Sequence, residues 1–398
     1  MKLQPTSTAR SAHHAARSTL EVSIILPCLN EERTVAQCVK DAKKWLGKKR
    51  GEVIVVDNGS SDDSRKIAKA AGAKVISQPE RGYGAAIYKG FMVAKGKYII
   101  IADADLSYDL AHLTPFLQKL HQGYDVVIGN RFGKKMQAGA MPWLHKYVGN
   151  PILTRIANLF FGTHLSDYHS GVRAIKKSVI VGLGLQCKGM EFASEMIVRA
   201  ALHDLKISEV SVKYRRDGRD RKPHIRTFRD GWRHLRFLML FAPNWIFFFP
   251  AVCLLFSSLS LLLWMVVESL HFGKVTLGIH TMLVCGGLLI IGYQLLHWSF
   301  CIKVFAQRIH LPIHSPSIWE KLSKVGIEIN MLIGSIFFLM GIGLCCTVFF
   351  QWMSIGFGQL QPEDTMRVFI PGVFFVVLGV QIFFASLFLG LMQFEAIQ

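Results

Sequence analysis

The chain has 398 residues, a net charge of +19 and a mean hydropathy of +0.32, a length that allows two domains and a pairing of charge with apolarity that excludes one evenly soluble globule. Most carboxylates and most Lys and Arg precede about residue 240, and four long apolar stretches follow. The basic residues crowd just ahead of the first stretch, so the expected partners are anionic lipid headgroups or phosphate-bearing substrates and not nucleic acid.

Residues 1–21 are basic, lack an apolar core and are expected to be a disordered tail, not a cleavable signal peptide. From Val22 onward, strand-like and helix-like segments alternate. "VSIILP" ends at Pro27 and is followed by a helical pattern in "EERTVAQCVKDAKKWL", with Val35, Val39 and Leu46 on one side. "EVIVVD" ends at Asp57, and "SSDDSRKIAKAAG" carries helix start and stop signals. "AKVISQ", the helix "GYGAAIYKGFMVA", the strand "KYIIIAD", the helix "LAHLTPFLQKLHQG" and the strand "YDVVIGN" continue the series. This alternation predicts a mostly parallel sheet covered on both faces, with ligands at the carboxyl ends of its strands, where Pro27, Asp57 and Asp103 fall. Two segments have an interfacial pattern. "MPWLHKYVGNPILTRIANLFFG" gathers Trp143, Tyr147, Ile152, Ile156, Leu159 and Phe160 near one side of a helix, a pattern an ordinary core helix also shows, and "TFRDGWRHLRFLMLFAP" mixes Arg229, Arg233 and Arg236 with Trp232 and Leu235.

Spans are expected at about 245–267, 276–301, 327–352 and 369–393. The connection 302–326 holds Lys303, Arg308, Lys321 and Lys324, whereas the other two hold Lys274 and Arg367. The positive-inside rule therefore places that connection, residues 22–236 and both termini in the cytoplasm. His280, Gln294, His297 and Gln381 lie within spans and are expected to bond helix to helix. The eight cysteines are scattered without a CxxC pair, which argues against a zinc site or a disulfide framework and fits a reducing compartment.

The stretch "KYIIIADADLSYD" places Asp103 and Asp105 at a strand end, and alternation would point both carboxylates to one side. Like charges that close repel unless compensated, and a divalent cation with oxygen preference, Mg²⁺ or Mn²⁺, is the simplest partner. A pair of solvated loop acids would look the same in isolation. However, "ILPCLNEE", "VVDNGSSDDS" and "ERGYGAAIYKG" precede this stretch, each at a predicted strand end. Together the four resemble family-2 glycosyltransferases of the GT-A fold, over residues 22 to about 236. The resemblance implies that the turn Pro27–Glu31, including Leu29, and Asp57 hold the nucleoside, that Asp103 lies near ribose and diphosphate, and that Asp105, with Asp103, reaches the metal. Leu29 departs from the aromatic residue often found there. "GYGAAI" half-matches a dinucleotide fingerprint, but Ile87 replaces the third glycine. Its glycines, Gly82 first, are expected to let backbone approach a phosphate.

"IGNRFG", "LSDYHSGVRAIKK" and "GMEFASEM" look like the polyprenyl-phosphate branch, which includes dolichol-phosphate-mannose synthases and undecaprenyl-phosphate glucosyltransferases. On that resemblance Asp167 sits where the branch keeps an acid near the acceptor, and Arg131 holds the acceptor phosphate. Salt bridges, of Asp167 with Arg173 or of Arg131 with an Asp, are the structural alternatives. The loop "YRRDGRDRKPHIRTF" aligns with the branch's basic loop, with Arg216 and Lys222 at phosphate-contacting positions, and its composition predicts mobility without ligand. Arg221-Lys222 departs from the family's frequent Ser-Lys. "DGWRHLRF" lacks the Q-x-x-R-W signature of processive synthases, which favours single transfer. The expected reaction is inverting transfer of one sugar from a nucleotide diphosphate sugar of GDP-mannose or UDP-glucose type to dolichyl or undecaprenyl phosphate. Transfer to another membrane lipid, or a catalytically silent nucleotide-binding scaffold, remain as alternatives, and no oligomeric state follows from the sequence.

Overall fold

A computed structural model describes residues 20–133, 135–218, 227–309, 311–313 and 326–393. The chain divides into two compact units between Phe241 and Ala242.

The first unit is a seven-stranded sheet in the order β3-β2-β1-β4-β6-β5-β7. In chain order its elements are β1 (Val22–Cys28), α1 (Val35–Leu46), β2 (Gly51–Asp57), α2 (Ser64–Ala70), β3 (Lys74–Ser77), α3 (Tyr83–Val93), β4 (Tyr98–Ile101), α4 (Thr114–His121), β5 (Val126–Asn130), α5 (Asn150–Phe161), β6 (Arg173–Lys176), α6 (Lys177–Ile180), α7 (Phe192–Leu202), β7 (Ile207–Ser211) and α8 (Thr227–Leu240). Val22, Ile24, Ile25 and Leu26 are wholly buried, as are Ile99 and Ile100. Continuous burial of this kind means that both sheet faces are covered, which is how parallel strands exist in water. Ile24, Leu26 and Ile100 pack with α1 and α4. On the other face the absent side chain of Gly90 lets α3 lie against Ile25.

Register sets the site. Cys28 pairs with Asp57 and Asp57 with Ser77, so the carboxyl ends of β1, β2 and β3 finish together. β4 runs parallel to β1, with Ile25 opposite Ile101. The expected parallel sheet is interrupted once, where β6 enters between β4 and β5 antiparallel to both. "RAIK" is too short and too charged at its ends to read as a central strand, yet Ala174 and Ile175 are wholly buried there.

The second unit contains a π-helical turn (Asn244–Phe248) leading into α9 (Phe249–Val267), a hairpin of β8 (Leu270–Phe272) and β9 (Val275–Leu277), and the helices α10 (Ile279–Arg308), α11 (Ile327–Ser354) and α12 (Pro362–Gln393). Among the described residues four segments, Asn244–Val267 and these three helices, are long and apolar enough to cross a membrane, and only 11% to 28% of their apolar windows is buried within the protein. The remaining apolar surface needs lipid. Each of the last three helices exceeds its expected span at one end, α10 and α11 at the carboxyl end and α12 at the amino end. α12 starts at Pro362 with Glu363 and Asp364 behind it, a proline and acids in the first turn, which suit a helix start that hydropathy does not register. α10 runs on through Lys303, which is buried. Lys321 and Lys324 lie outside the described residues. α11 meets α12 through glycines: a Cβ on Gly334 would stand 2.9 Å from the carbonyl oxygen of Gly379. Among the described residues, His297 bonds within its own helix, to Cys301 Sγ at 3.5 Å.

Candidate active site

The turn after β1 and the turn after β2 are tied side by side. Asn30, in the left-handed conformation at φ 57°, donates its N–H to Ser60 Oγ at 2.9 Å and accepts from the Ser61 N–H at 2.8 Å. Glu31 is buried, donates its N–H to Ser64 Oγ at 2.7 Å and accepts from Thr34 Oγ1 at 3.2 Å. Asp57 is 1% exposed, accepts from the Ser60 N–H at 3.3 Å and lies 3.7 Å from Arg65 Nε. Pro27, near the end of β1, and Leu29, in the turn that follows, are half-buried. The next residue, Asn58, went unnoticed in the sequence. Its amide donates to the carbonyls of Gln78 and Glu80 at 3.1 and 2.6 Å and accepts from the Gly82 N–H at 2.7 Å, fixing the start of α3. Gly82 has φ 145°, and a side chain there would run into the carbonyl oxygen of Lys188. That glycine therefore makes room for protein backbone, a neighbour the sequence did not predict.

The extended chain stops at Ile101 and turns within the acidic stretch, with Leu106 at φ 66°. Such a conformation costs an aliphatic residue on the order of 1 kcal/mol or more and is held by its surroundings. Asp103 packs on Gly171 and accepts from the Tyr83 hydroxyl at 3.3 Å. Asp105 is buried and accepts from the Ser107 N–H at 3.0 Å. The Tyr214 phenol is raised by burial first, against the charge of Arg131, with Asp105 and Asp103 adding to the shift. Among the described residues no group of three or more His, Cys, Asp or Glu is placed to hold a metal. Asp103 and Asp105 are hard oxygen donors, a chemistry that fits Mg²⁺ or Mn²⁺ completed by substrate phosphates. Tyr108 ties this loop to the next by accepting from the Gly171 N–H at 2.8 Å.

Arg131 and Asp167 form one unit. Nε and Nη2 of Arg131 donate to the two carboxylate oxygens at 2.7 and 2.8 Å, and its backbone N–H adds a third bond at 3.1 Å. The His169 N–H donates a fourth at 3.1 Å. Both side chains are buried; burial opposes the guanidinium charge, and Asp167 more than offsets it, holding Arg131 well above its ordinary value. Arg173 is not the partner of Asp167. It donates to the carbonyls of Ser170 at 2.7 Å, Tyr168 at 3.0 Å, and Ala193. The Arg131 guanidinium also lies 5.4 Å from the Tyr214 ring centre.

The start of the basic loop is anchored. Arg215 N–H donates to Ser107 O and Gly218 N–H to Asp105 O, both at 2.9 Å, and Tyr214 packs on Tyr108 at 5.3 Å. The expected mobility does not describe residues 214–218. Tyr214 supplies the ring and the backbone supplies the bonds, neither of which charge composition reveals. Arg216 is exposed with its guanidinium on Gly139, and Lys222 lies outside the described residues.

Residues 23–183 match the glycosyl transferase family 2 profile, and residues 300–393 match the glycosyltransferase family 2 C-terminal transmembrane region. Low-salt glycan biosynthesis hexosyltransferase Agl6 of Haloferax volcanii is 35% identical over 374 residues, 93% of this chain and 88% of its own. The chain belongs to glycosyltransferase family 2. Two further relatives from the same organism are glycosyltransferase AglJ, 33% identical over 58% of this chain and 76% of its own, and dolichyl-phosphate hexose transferase, 30% identical over 49% and 83%. Among solved structures, glucosyl-3-phosphoglycerate synthase from Mycobacterium tuberculosis, in complex with Mn²⁺, uridine-diphosphate-glucose and phosphoglyceric acid, covers 60% of this chain and 84% of its own at 22% identity and TM-score 0.45, a likeness too slight to bear on chemistry. As a family-2 glycosyltransferase with four helices of membrane-spanning length and the family's transmembrane region, the protein is a membrane enzyme built as a GT-A domain followed by a helical membrane region.

Proposed function

We propose that this family-2 glycosyltransferase moves one sugar, with inversion, from a nucleotide diphosphate sugar of GDP-mannose or UDP-glucose type to a polyprenyl phosphate, dolichyl or undecaprenyl, at the cytoplasmic membrane face. The observation that carries this reading is the state of Asp167. Its two oxygens accept four donors from Arg131 and His169, so the acceptor positions of this carboxylate are all taken up in structure. An acceptor hydroxyl needs a base in reach. An acceptor phosphate is already anionic and needs none. The dolichyl-phosphate hexose transferase of H. volcanii, similar over half of this chain, supports the same acceptor class.

The donor nucleoside would sit against Pro27, Leu29, Glu31 and Asp57, with Gly82 opening the helix beside it. Asp103 and Asp105 would hold Mg²⁺ or Mn²⁺, which when bound supplies charge neutralisation for the departing diphosphate. An acceptor phosphate oxygen attacks the anomeric carbon as the bond to the diphosphate oxygen breaks, and the nucleoside diphosphate leaves with that electron pair. Arg131 orients the acceptor; Arg216 and Lys222 complement the phosphates. A panel of labelled nucleotide sugars against a short polyprenyl phosphate, scored for organic-soluble product, tests the reading. Product is expected with the phosphate and not with the free polyprenol. Product with a diacylglycerol or the free polyprenol, and none with the phosphate, would overturn it.

A further inference from the structure

Beside this site one imidazole lacks a hydrogen-bond partner among the described residues. Both ring nitrogens of His169 are buried and neither meets a hydrogen-bonding group. A buried polar group left unpaired is destabilising, because its lost hydration is not replaced. The backbone of His169 is fixed by Asp167, and its ring is fixed by His234, edge to face at 4.7 Å between centres. His234 is in turn held by Ser194 Oγ at 2.8 Å. His169 lines a cavity of about 420 Å³ together with Arg131, His234, Asp230 and apolar groups including Leu144, Ile152 and Trp232. That volume falls within the roughly 300–1,000 Å³ of small-molecule sites.

The cavity asks for a ligand with an apolar body and a head that accepts hydrogen bonds. Arg131 is charge-balanced by Asp167, and the one carboxylate in the lining, Asp230, lies 3.9 Å from both Arg229 and Arg233. Burial, His234, Arg131 and Arg173 all hold His169 well below its ordinary value, so its imidazole is neutral, with one N–H to give. We infer that His169 is an acceptor-binding residue whose ring N–H donates to an oxygen of the acceptor phosphate, while the first apolar segment of the acceptor lies along Leu144, Ile152 and Trp232. The inference rests on the polyprenyl-phosphate reading for the identity of the ligand, but the unpartnered imidazole stands apart from it.

The test is titration of full-length protein in detergent with farnesyl phosphate and with farnesol, for the wild type, His169→Phe and His169→Asn. Phe fills the ring volume without a donor; Asn restores a donor. Farnesyl phosphate affinity should fall about tenfold or more in His169→Phe, about 1.4 kcal/mol, and recover for the most part in His169→Asn. Farnesol affinity and nucleoside diphosphate affinity should stay unchanged in both. In turnover assays the KM for polyprenyl phosphate should rise in His169→Phe while the KM for donor and donor hydrolysis to water hold. Equal farnesyl phosphate affinity in His169→Phe and wild type overturns the inference. So does an equal loss of farnesol affinity, which would mean the cavity itself had collapsed. If farnesyl phosphate binding depends on His169 but no polyprenyl phosphate receives sugar, the proposed function fails and the site stands. If transfer occurs and the variants bind like wild type, the function stands and this inference fails.

Discussion

Around Asp167 the catalytic unit buries full charges and gives each one partners: Arg131 to Asp167, Arg199 to Glu195 at 3.1 Å, Arg173 to three carbonyls. Between α11 and α12 the membrane unit brings backbones together at Gly334, Gly341, Gly372 and Gly379. Its hydroxyls bond to their own helices, as Ser258, Ser335 and Ser386 do to carbonyls four residues back. In water, burial of apolar strands supplies the driving force, and that surplus can carry buried ion pairs. In lipid no such surplus exists between helices, so close van der Waals contact has to hold them, and small residues permit it. Chemistry that needs oriented charge therefore belongs in the first unit.

The largest effect expected from breaking that contrast is Arg131→Ala. It leaves Asp167 buried without its main partner, at a cost of about 3–5 kcal/mol. Replacing both residues, Arg131→Met with Asp167→Leu, should recover much of this stability but no transfer. Denaturant unfolding monitored through nucleotide binding reads the single variant; near-UV circular dichroism reads both. If the double variant is as unstable as the single one, the pair is not the unit described above. Asp105→Asn comes next, with transfer lowered by about 10²–10³, or 3–4 kcal/mol, in a protein that still folds. Chelation should do the same to wild type, and Mg²⁺ or Mn²⁺ should reverse it. Near-normal turnover of Asp105→Asn without added metal would end the assignment.

Acid should distinguish the units too. Burial pushes His234 down to about 4, with Arg173 contributing, against about 6.5 unfolded. Between those values the unfolded chain binds the proton and the folded one does not, so stability rises with pH through this window. The full contribution is present above about pH 6.5 and is lost by about pH 4, roughly 3 kcal/mol in all. His234→Phe should flatten that part of the profile; an unchanged profile would show that the imidazole is not kept neutral. In the membrane unit Gly379→Leu puts a side chain into the Phe338 backbone. A loss of about 1–3 kcal/mol is expected, read as a lower melting temperature in detergent while nucleotide affinity holds.

The same contrast explains what the sequence made legible. The strands "VSIILP", "EVIVVD" and "KYIIIAD" are continuous apolar runs because both their faces are covered, so their ends, and with them Asp57, Asp103 and the acidic stretch, were readable. β6 was not, because a four-residue strand gains its burial from neighbours and carries no periodicity of its own. Asn58, Tyr108 and Tyr214 were missed because each acts across long sequence separation: Asn58 on Gly82, Tyr108 on Gly171, Tyr214 on Arg131. For Asp167, nearness in sequence pointed to Arg173, whereas the pair that forms is the other alternative, Arg131 with an Asp. His169 carried no signal at all, because a lone histidine in a loop looks the same whether paired or waiting for a ligand.

The smallest effect separates catalysis from anchoring. Arg229 and Arg233 lie on α8 with 57% and 39% of their side chains exposed, each 3.9 Å from Asp230. Phe228 and Trp232 on the same helix are exposed at 84% and 56%, while Phe237 and Leu238 are buried. A helix that turns aromatic and basic residues outward suits the headgroup layer. At these exposures the two long contacts to Asp230 contribute little to folding, so both guanidinium groups remain available to lipid. Arg229→Ala with Arg233→Ala should weaken association with anionic liposomes by about 1 kcal/mol per charge and leave turnover in detergent near wild type. Arg216→Ala with Lys222→Ala should fail in both media if those residues serve the phosphates. Raising the anionic lipid fraction should rescue the first pair and not the second. Equal rescue of both would make the whole basic stretch an anchor and remove Arg216 and Lys222 from the site.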